Sequence, residues 1–275
     1  MAIDREDYVE PVCPLGPPDG GGTPLRAPGR KRIPLPEIIA ECDRLFHAEK
    51  TAELGEHLRF WRARARELGD EEGELSILSE LMGHYRMSGD RERGLAAVRD
   101  GFALLGKLNL GRSAEAGTIL VNGATALQEF GAYDEALRHY AEACRCYNET
   151  LDPNDWRFAG LMNNMAAAYT ATSDFRHAEA CYRRALTILK VRKNLMDAAV
   201  THVNLAQMYA LIDPDDPRID AELGAGMACF DDPAAVRDGY YAHTCRKCAS
   251  AFGFFGRAED ERELNSRADA FYAGH

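Results

Sequence analysis

The hydrophobic positions of the chain follow one period from Ile38 onward: apolar residues recur at steps of three and four. This spacing places them on one face of an α-helix. Signals typical of strands are missing from the sequence, since no segment sustains an apolar and polar alternation and paired turn dipeptides are absent. The pattern therefore predicts an all-α fold.

Short turns divide the helical pattern at regular intervals. Five turns align at Gly89, Gly131, Ser173, Asp213 and Gly256, which lie 42, 42, 40 and 43 residues apart. Two helices joined by a tight turn approach closely only where a small residue faces a large one. The register of large and small residues around these turns thus predicts a solenoid of about five to six antiparallel helix pairs. Four positions before the turns stand Tyr85, Leu127, Tyr169, Tyr209 and Phe252, and seven before stand Met82, Ala124, Ala166, Ala206 and Ala249.

Two segments carry a resemblance to a known family. The stretches "FGAYDEALRHYAEA" and "SDFRHAEACYRRAL" resemble the tetratricopeptide repeat (TPR) family, in its longer variant of about 42 residues. The resemblance is fullest over residues 112–196, and the C-terminal stretch is similar to uncharacterised bacterial TPR proteins. It implies a right-handed superhelix whose stacked first helices line a concave groove, and this groove would bind an extended or helical segment of a partner.

The distribution of proline and glycine predicts the domain boundaries. Residues 1–36 hold eight of the twelve prolines and a run of three glycines, so we expect a non-helical N-terminal extension there. Residues 37–275 should form one helical repeat domain, with a degenerate capping pair at 37–70. The second helix of the fifth pair should be interrupted by "DPDDPRID". The repeats are predicted at residues 71–111, 112–155, 156–196, 197–239 and 240–275.

One polar stripe is the candidate binding surface. On each first helix, the positions thirteen, nine, six and two before the turn lie on one face beside the core; we call them the first-helix stripe. Nine before the turn stand Glu80, Asn122, Asn164, Asn204 and Lys247. A carboxamide both donates and accepts, so it suits the main chain of a bound segment, and in TPR proteins that clamp peptides an asparagine here has that role. The alternative is that these asparagines bridge neighbouring helices or hold water.

The remaining stripe positions complete the prediction. Asn163 is the immediate neighbour of Asn164, and positive charge gathers at His243, Arg246 and Lys247, which would attract an acidic part of a partner. The candidate peptide-binding residues are Asn122, Asn163, Asn164, Asn204, Gln207, His243, Arg246 and Lys247.

Composition and charge narrow the class of partner. The 275-residue chain has a formal net charge of −11, which repels phosphate backbones and anionic lipid, so we expect no nucleic acid and no membrane partner. Its first residues are acidic, and no apolar run approaches the roughly 20 residues of a membrane span. The expected location is cytoplasmic.

The pair of cysteines in "CRKC", Cys245 and Cys248, has the spacing of a metal or redox site. A zinc site would need two more ligands, and Cys248 takes a core position of the repeat, so we predict buried thiols with no metal and no cofactor. A metal- or thiol-dependent activity at this pair remains the alternative function.

These observations favour a non-enzymatic scaffold or peptide receptor that binds a protein or peptide segment in the concave groove. A purely structural, self-assembling solenoid is the other alternative, so homo-oligomerisation stays open. A further hypothesis concerns the N-terminal extension: residues 4–16 offer apolar anchors on a stiff chain and would dock on the helical body.

Overall fold

The computed structural model describes residues 31–48 and 50–273, with the side chain of residue 47 left aside. The hypothesis that residues 4–16 dock on the body lies outside these residues. Within the described part of the chain all regular structure is helical, so the predicted all-α fold is confirmed. The described residues divide into two compact units, and the boundary along the sequence lies between Leu151 and Asp152. We call residues 31–151 the N-terminal unit and residues 152–273 the C-terminal unit.

Each unit consists of three helix pairs. The two helices of every pair pack against each other, and successive pairs within a unit are also in contact. In the N-terminal unit the helices are α1 (Leu35–His47), α2 (Thr51–Leu68), α3 (Glu71–Met87), α4 (Arg91–Leu108), α5 (Ala114–Glu129) and α6 (Tyr133–Thr150). In the C-terminal unit they are α7 (Trp156–Ala171), α8 (Phe175–Arg192), α9 (Leu195–Ile212), α10 (Arg218–Asp231), α11 (Gly239–Phe254) and α12 (Ala258–Ala273).

Short polar side chains begin most of these helices. The carboxylate of Asp90 accepts a hydrogen bond from the backbone N–H of Arg93, and Ser113 accepts one from Ala116 in the same way. Such caps satisfy backbone donors that have no partner inside the first turn of a helix. Equivalent side-chain caps begin α3, α7, α8, α9 and α11.

The five predicted turns all lie between the two helices of a pair. Gly89, Gly131 and Gly256 adopt φ angles of 69°, 81° and 77°, in the left-handed region that glycine enters at no steric cost. Ser173 occupies the equivalent position at 61°. Asp213 differs, with an extended φ of −149°, because the chain crosses to α10 through the five-residue, largely exposed stretch Asp213–Pro217 instead of a three-residue turn. The predicted interruption of the second helix is wrong, because α10 runs without a break from Arg218 to Asp231 and most of "DPDDPRID" forms the connection before it.

The alternation of large and small residues builds the core as predicted. Tyr209 and Phe252, four positions before their turns, are completely buried, and so are Ala166 and Ala206, seven before. Gly94 shows how tight the packing is, because a Cβ atom at this position would lie 2.4 Å from the Phe130 ring. Small residues thus allow second helices to reach the aromatic side chains of their neighbours.

A charged network crosses the core of the C-terminal unit. Glu222 of α10 is 7% exposed, and its two carboxylate oxygens accept hydrogen bonds of 2.6 Å from Arg183 of α8 and His202 of α9. Arg183 also donates to the hydroxyl of Tyr209 at 3.0 Å. These bonds lower the pKa of Glu222 although burial alone would raise it. The carboxylate therefore joins three helices while remaining charged.

Candidate functional site

The first-helix stripe lies on neighbouring helices within each unit. In the N-terminal unit α3 contacts α5, and in the C-terminal unit α9 contacts α7 on one side and α11 on the other. Residues at equivalent stripe positions of these helices therefore belong to adjacent repeats that touch.

In the N-terminal unit, Asn122 joins two first helices. Its side chain is half-buried on α5, and its Nδ2 donates a hydrogen bond of 2.7 Å to the hydroxyl of Ser79 on α3. This is the helix-bridging contact that the sequence left open as an alternative. The bond uses one donor of the carboxamide, whose oxygen takes no part in it.

In the C-terminal unit, Asn163 faces its neighbouring helix rather than the surface. The side chain is 1% exposed, and its Oδ1 accepts a hydrogen bond of 3.1 Å from the hydroxyl of Thr201 on α9. Its Nδ2 is buried without a hydrogen-bond partner among the described residues. Asn163 thus lies between α7 and α9, whereas its neighbour Asn164 is half-buried.

Asn204 combines deep burial with an unsatisfied amide. The residue is 3% exposed on α9, and neither its Nδ2 nor its Oδ1 has a hydrogen-bond partner within the described part of the chain. A buried polar atom that lacks a partner costs about 1–3 kcal/mol.

The C-terminal end of the stripe carries less free positive charge than the sequence indicates. Arg246 donates a hydrogen bond of 2.6 Å to Asp269 on α12, and its guanidinium lies 5.8 Å from the ring centre of Tyr272, so it points toward α12. His243 is exposed overall, but neighbouring residues partly desolvate its imidazole ring. This desolvation, followed by the nearby Lys247 ammonium, lowers the pKa of His243. Lys247 and the half-buried Gln207 complete the predicted set.

Glu80 occupies the same repeat position in α3 and has an unusual protonation equilibrium. Burial, followed by the nearby carboxylate of Asp43, raises the pKa of Glu80 to about 7. Both influences disfavour the charged carboxylate. Near neutral pH this stripe position therefore exchanges between a carboxylic acid and a carboxylate.

The Glu80→Gln variant should be more stable than the wild type at pH 8, by about 1–3 kcal/mol. The folded-state pKa of about 7 lies above the usual 4.5, so the folded protein binds the proton more tightly than the unfolded chain. Wild-type stability should consequently fall as the pH rises from about 4.5 through 7, and the glutamine variant should lack this fall. Urea unfolding of the wild type and the variant at pH 5, 6, 7 and 8 measures the stability difference at pH 8 and the pH dependence of each protein. Glu92→Gln, at an exposed position of α4, is the control, and parallel pH profiles for Glu80→Gln and the wild type would contradict the prediction.

Exposed apolar side chains at the stripe were missed in the sequence. Two positions before their turns stand Leu211 on α9 and Phe254 on α11, and Phe254 is 68% exposed. Met87 takes the same place on α3 and is also exposed. The repeat alignment already contains these residues, but periodicity alone does not distinguish an exposed apolar side chain from one at the edge of the core. They give the stripe apolar contact area beside its amides.

The cysteine pair lies in the core. Cys245 and Cys248 are completely buried on α11, which confirms the predicted core position of Cys248. Burial raises the pKa of Cys245 to about 11 and that of Cys248 to about 12, so both are thiols rather than thiolates at neutral pH. Among the described residues no group of three or more potential ligands is placed to hold a metal ion.

None of the helices in the described ranges is both long and apolar enough to cross a membrane.

Comparison with known proteins agrees with the repeat pattern. The tetratricopeptide repeat family model matches residues 115–190. No curated protein matches the sequence significantly.

Solved structures share the fold at low sequence identity. The TPR-like repeats of a kinesin light chain of Podosopora anserina align with a TM-score of 0.53 at 16% identity, over 73% of this chain and 95% of that one. BtubC (BKLC) of P. vanneervenii aligns with a TM-score of 0.52 at 18% identity, over 88% and 92%. These similarities show a TPR-like fold.

Proposed function

We propose that this chain, a tetratricopeptide repeat protein by its repeats and its fold, is a scaffold that binds a partner polypeptide segment along the first-helix stripe. TPR folds generally mediate protein–protein interactions and are generally non-enzymatic. The fold alone does not identify the surface that binds the partner.

The observation that carries the proposal is the exposed apolar edge of the stripe in the C-terminal unit. Leu211 and Phe254 occupy equivalent positions on contacting helices, and both are exposed. Half-buried amides at Asn164 and Gln207 lie in the same stripe. Apolar anchors supply binding energy, while amides accept and donate to the main chain of the bound segment.

Three other asparagines of the first helices have a supporting role in this proposal. Asn122 and Asn163 hold neighbouring first helices through hydrogen bonds to Ser79 and Thr201. Asn204, at a position of the stripe itself, is buried with an unsatisfied amide. Arg246 is left outside the contact because its guanidinium is engaged by Asp269 on α12.

We also infer that the chain has no catalytic role of its own at Cys245 and Cys248. Nucleophilic chemistry and zinc binding both use the thiolate, which burial disfavours at this pair. The completely buried position further separates both sulfur atoms from solvent.

The Phe254→Ala variant should bind the partner about 10- to 100-fold more weakly, because it removes an exposed apolar anchor and leaves the fold intact. Asn164→Ala should weaken binding as well, by about 1–3 kcal/mol. Partners captured from native extracts would be identified first, and the affinity of the bound segment would then be measured by calorimetry.

The matched control for this experiment is Val236→Ala. Val236 is also strongly exposed but lies in the connection between α10 and α11, outside the stripe. Equal affinities of the wild type, Phe254→Ala and Asn164→Ala variants would show that the partner binds elsewhere.

A further inference from the structure

A cavity lined by arginines lies in the N-terminal unit. It has a volume of about 340 Å³ and is bounded by α2, α3 and α4. Four arginines line it together with an apolar and an aromatic side chain of α3. The residues that matter are Arg59, Arg62, Arg66, Arg93, Leu81 and Tyr85.

Helical spacing explains why these side chains converge. Arg59, Arg62 and Arg66 are separated by three and four residues on α2, so they share one face of that helix. Leu81 and Tyr85 are four residues apart on α3 and share a face in the same way. The cavity is therefore a built feature of three packed helices rather than a chance gap at a loop.

Most of the arginine charge is balanced within the protein. Glu74 lies 2.8 Å from Arg66 and 3.4 Å from Arg62, and Arg62 also pairs with Asp100. Arg59 differs from its neighbours, since it has no carboxylate partner among the residues that the structure describes.

The fourth arginine is balanced as well. Arg93 lies 3.2 Å from Asp90 on the same helix end. Four guanidinium groups thus meet three carboxylates, which leaves one positive charge in excess at a cavity of a chain whose net charge is −11. This excess lies at Arg59.

The histidine next to Arg59 adds no second positive charge. His84 is buried, and burial followed by the Arg59 guanidinium lowers its pKa. At neutral pH the histidine is uncharged, so it adds nothing to the excess positive charge at Arg59.

We propose that this cavity binds the carboxylate of a glutamate or aspartate side chain of a partner polypeptide. The carboxylate pairs with Arg59, and the hydrocarbon stem of the same side chain lies against Ala63 and Ala96, which line the cavity and are not buried. The planar guanidinium fork matches a carboxylate in shape and charge. A single excess charge suits a monoanion better than a phosphate group, which carries about −1.5 to −2.

This site goes beyond the proposed first-helix stripe and does not depend on it. The stripe offers amides and exposed apolar side chains, whereas the cavity is formed mainly by second helices and selects a negative charge.

The test is a titration of the full-length protein with two small peptides, acetyl-Leu-Glu-amide and acetyl-Leu-Gln-amide. NMR spectra that resolve the arginine Nε–H groups would follow binding. We expect saturable shifts at Arg59 with the glutamate peptide and at least fivefold weaker binding of the glutamine peptide. The Arg59→Gln variant should bind the glutamate peptide at least fivefold more weakly than the wild type. The Arg59→Lys variant keeps the charge but loses the guanidinium fork, so its affinity should lie between those of the wild type and Arg59→Gln.

The control variant is Arg99→Gln, which removes the same charge from an exposed position of α4 that does not line the cavity. It should change the affinity less than twofold. Equal binding of the two peptides, or equal losses in Arg59→Gln and Arg99→Gln, would overturn the proposal. Tighter binding of inorganic phosphate than of the glutamate peptide at the same ionic strength would overturn the assignment to a carboxylate.

Discussion

The Phe252→Ala substitution is expected to lower the free energy of unfolding by about 3–5 kcal/mol, the usual cost of removing a buried aromatic ring. Phe252 is completely buried in the core of the C-terminal unit, and the guanidinium of Arg257 lies 5.5 Å from its ring centre. The substitution leaves a cavity where α11 packs on its neighbours, and the surrounding helices close such a cavity only in part.

Phe254→Ala is the matched control for this prediction, because the same ring is removed two residues further along the same helix. Phe254 is largely exposed, so its loss should change the free energy of unfolding by less than about 0.5 kcal/mol. The two units contain one tryptophan each, Trp61 and Trp156. Denaturant unfolding followed by Trp156 fluorescence in a Trp61→Phe background reports the unfolding of the C-terminal unit. Similar losses of unfolding free energy in Phe252→Ala and Phe254→Ala would contradict the assignment of Phe252 to the core.

Glu222→Gln is expected to destabilise the C-terminal unit by about 2–4 kcal/mol at pH 7. Removing one partner of a buried ion pair costs about 3–5 kcal/mol, and here the cost is reduced because Arg183 reaches solvent. The glutamine keeps the size of the side chain but withdraws the charge that Arg183 and His202 face. Helices α8, α9 and α10 would lose their common hydrogen-bond acceptor.

The effect should depend on pH in a defined direction. The pKa of Glu222 in the folded protein lies below its usual 4.5, so below that value the unfolded chain binds the proton more readily. The stabilisation is therefore complete above about pH 4.5 and is lost as the pH falls through the folded-state pKa. Urea unfolding at pH 7, 5 and 3.5 should show the difference between wild type and variant shrinking toward acid. Asp220→Asn, on the exposed side of α10, should show no such trend, and a constant difference for Glu222→Gln would contradict the ionic role.

Short-range patterns were sufficient to predict the helix pairs and much of the core. Turn residues such as Gly131 and core residues such as Ala206 and Tyr209 repeat at a fixed spacing, and each helix pair is a local unit. Helix boundaries also follow local chemistry, because capping side chains lie within a few residues of the groups that they satisfy.

Contacts between repeats were harder to predict. Asn163 and Asn164 are adjacent in sequence, yet a helix turns about 100° per residue, and only the packing of α9 shows that Asn163 is buried against Thr201. Glu222 meets Arg183 from 39 positions away, a separation that helical periodicity does not reveal. The arginines of α2 have the spacing of an ordinary solvated face, and their convergence on Leu81 and Tyr85 depends on how three helices pack.

The stretch Asp213–Pro217 makes one helix pair different from the others in its tolerance to engineering. The turns at Gly89, Gly131, Ser173 and Gly256 are fixed in length by a left-handed residue between two helices. At Asp213 the backbone leaves α9 in an extended conformation and crosses exposed positions before α10 begins. A peptide tag or a small reporter domain inserted in this stretch would have room outside the packed helices and need not alter their register.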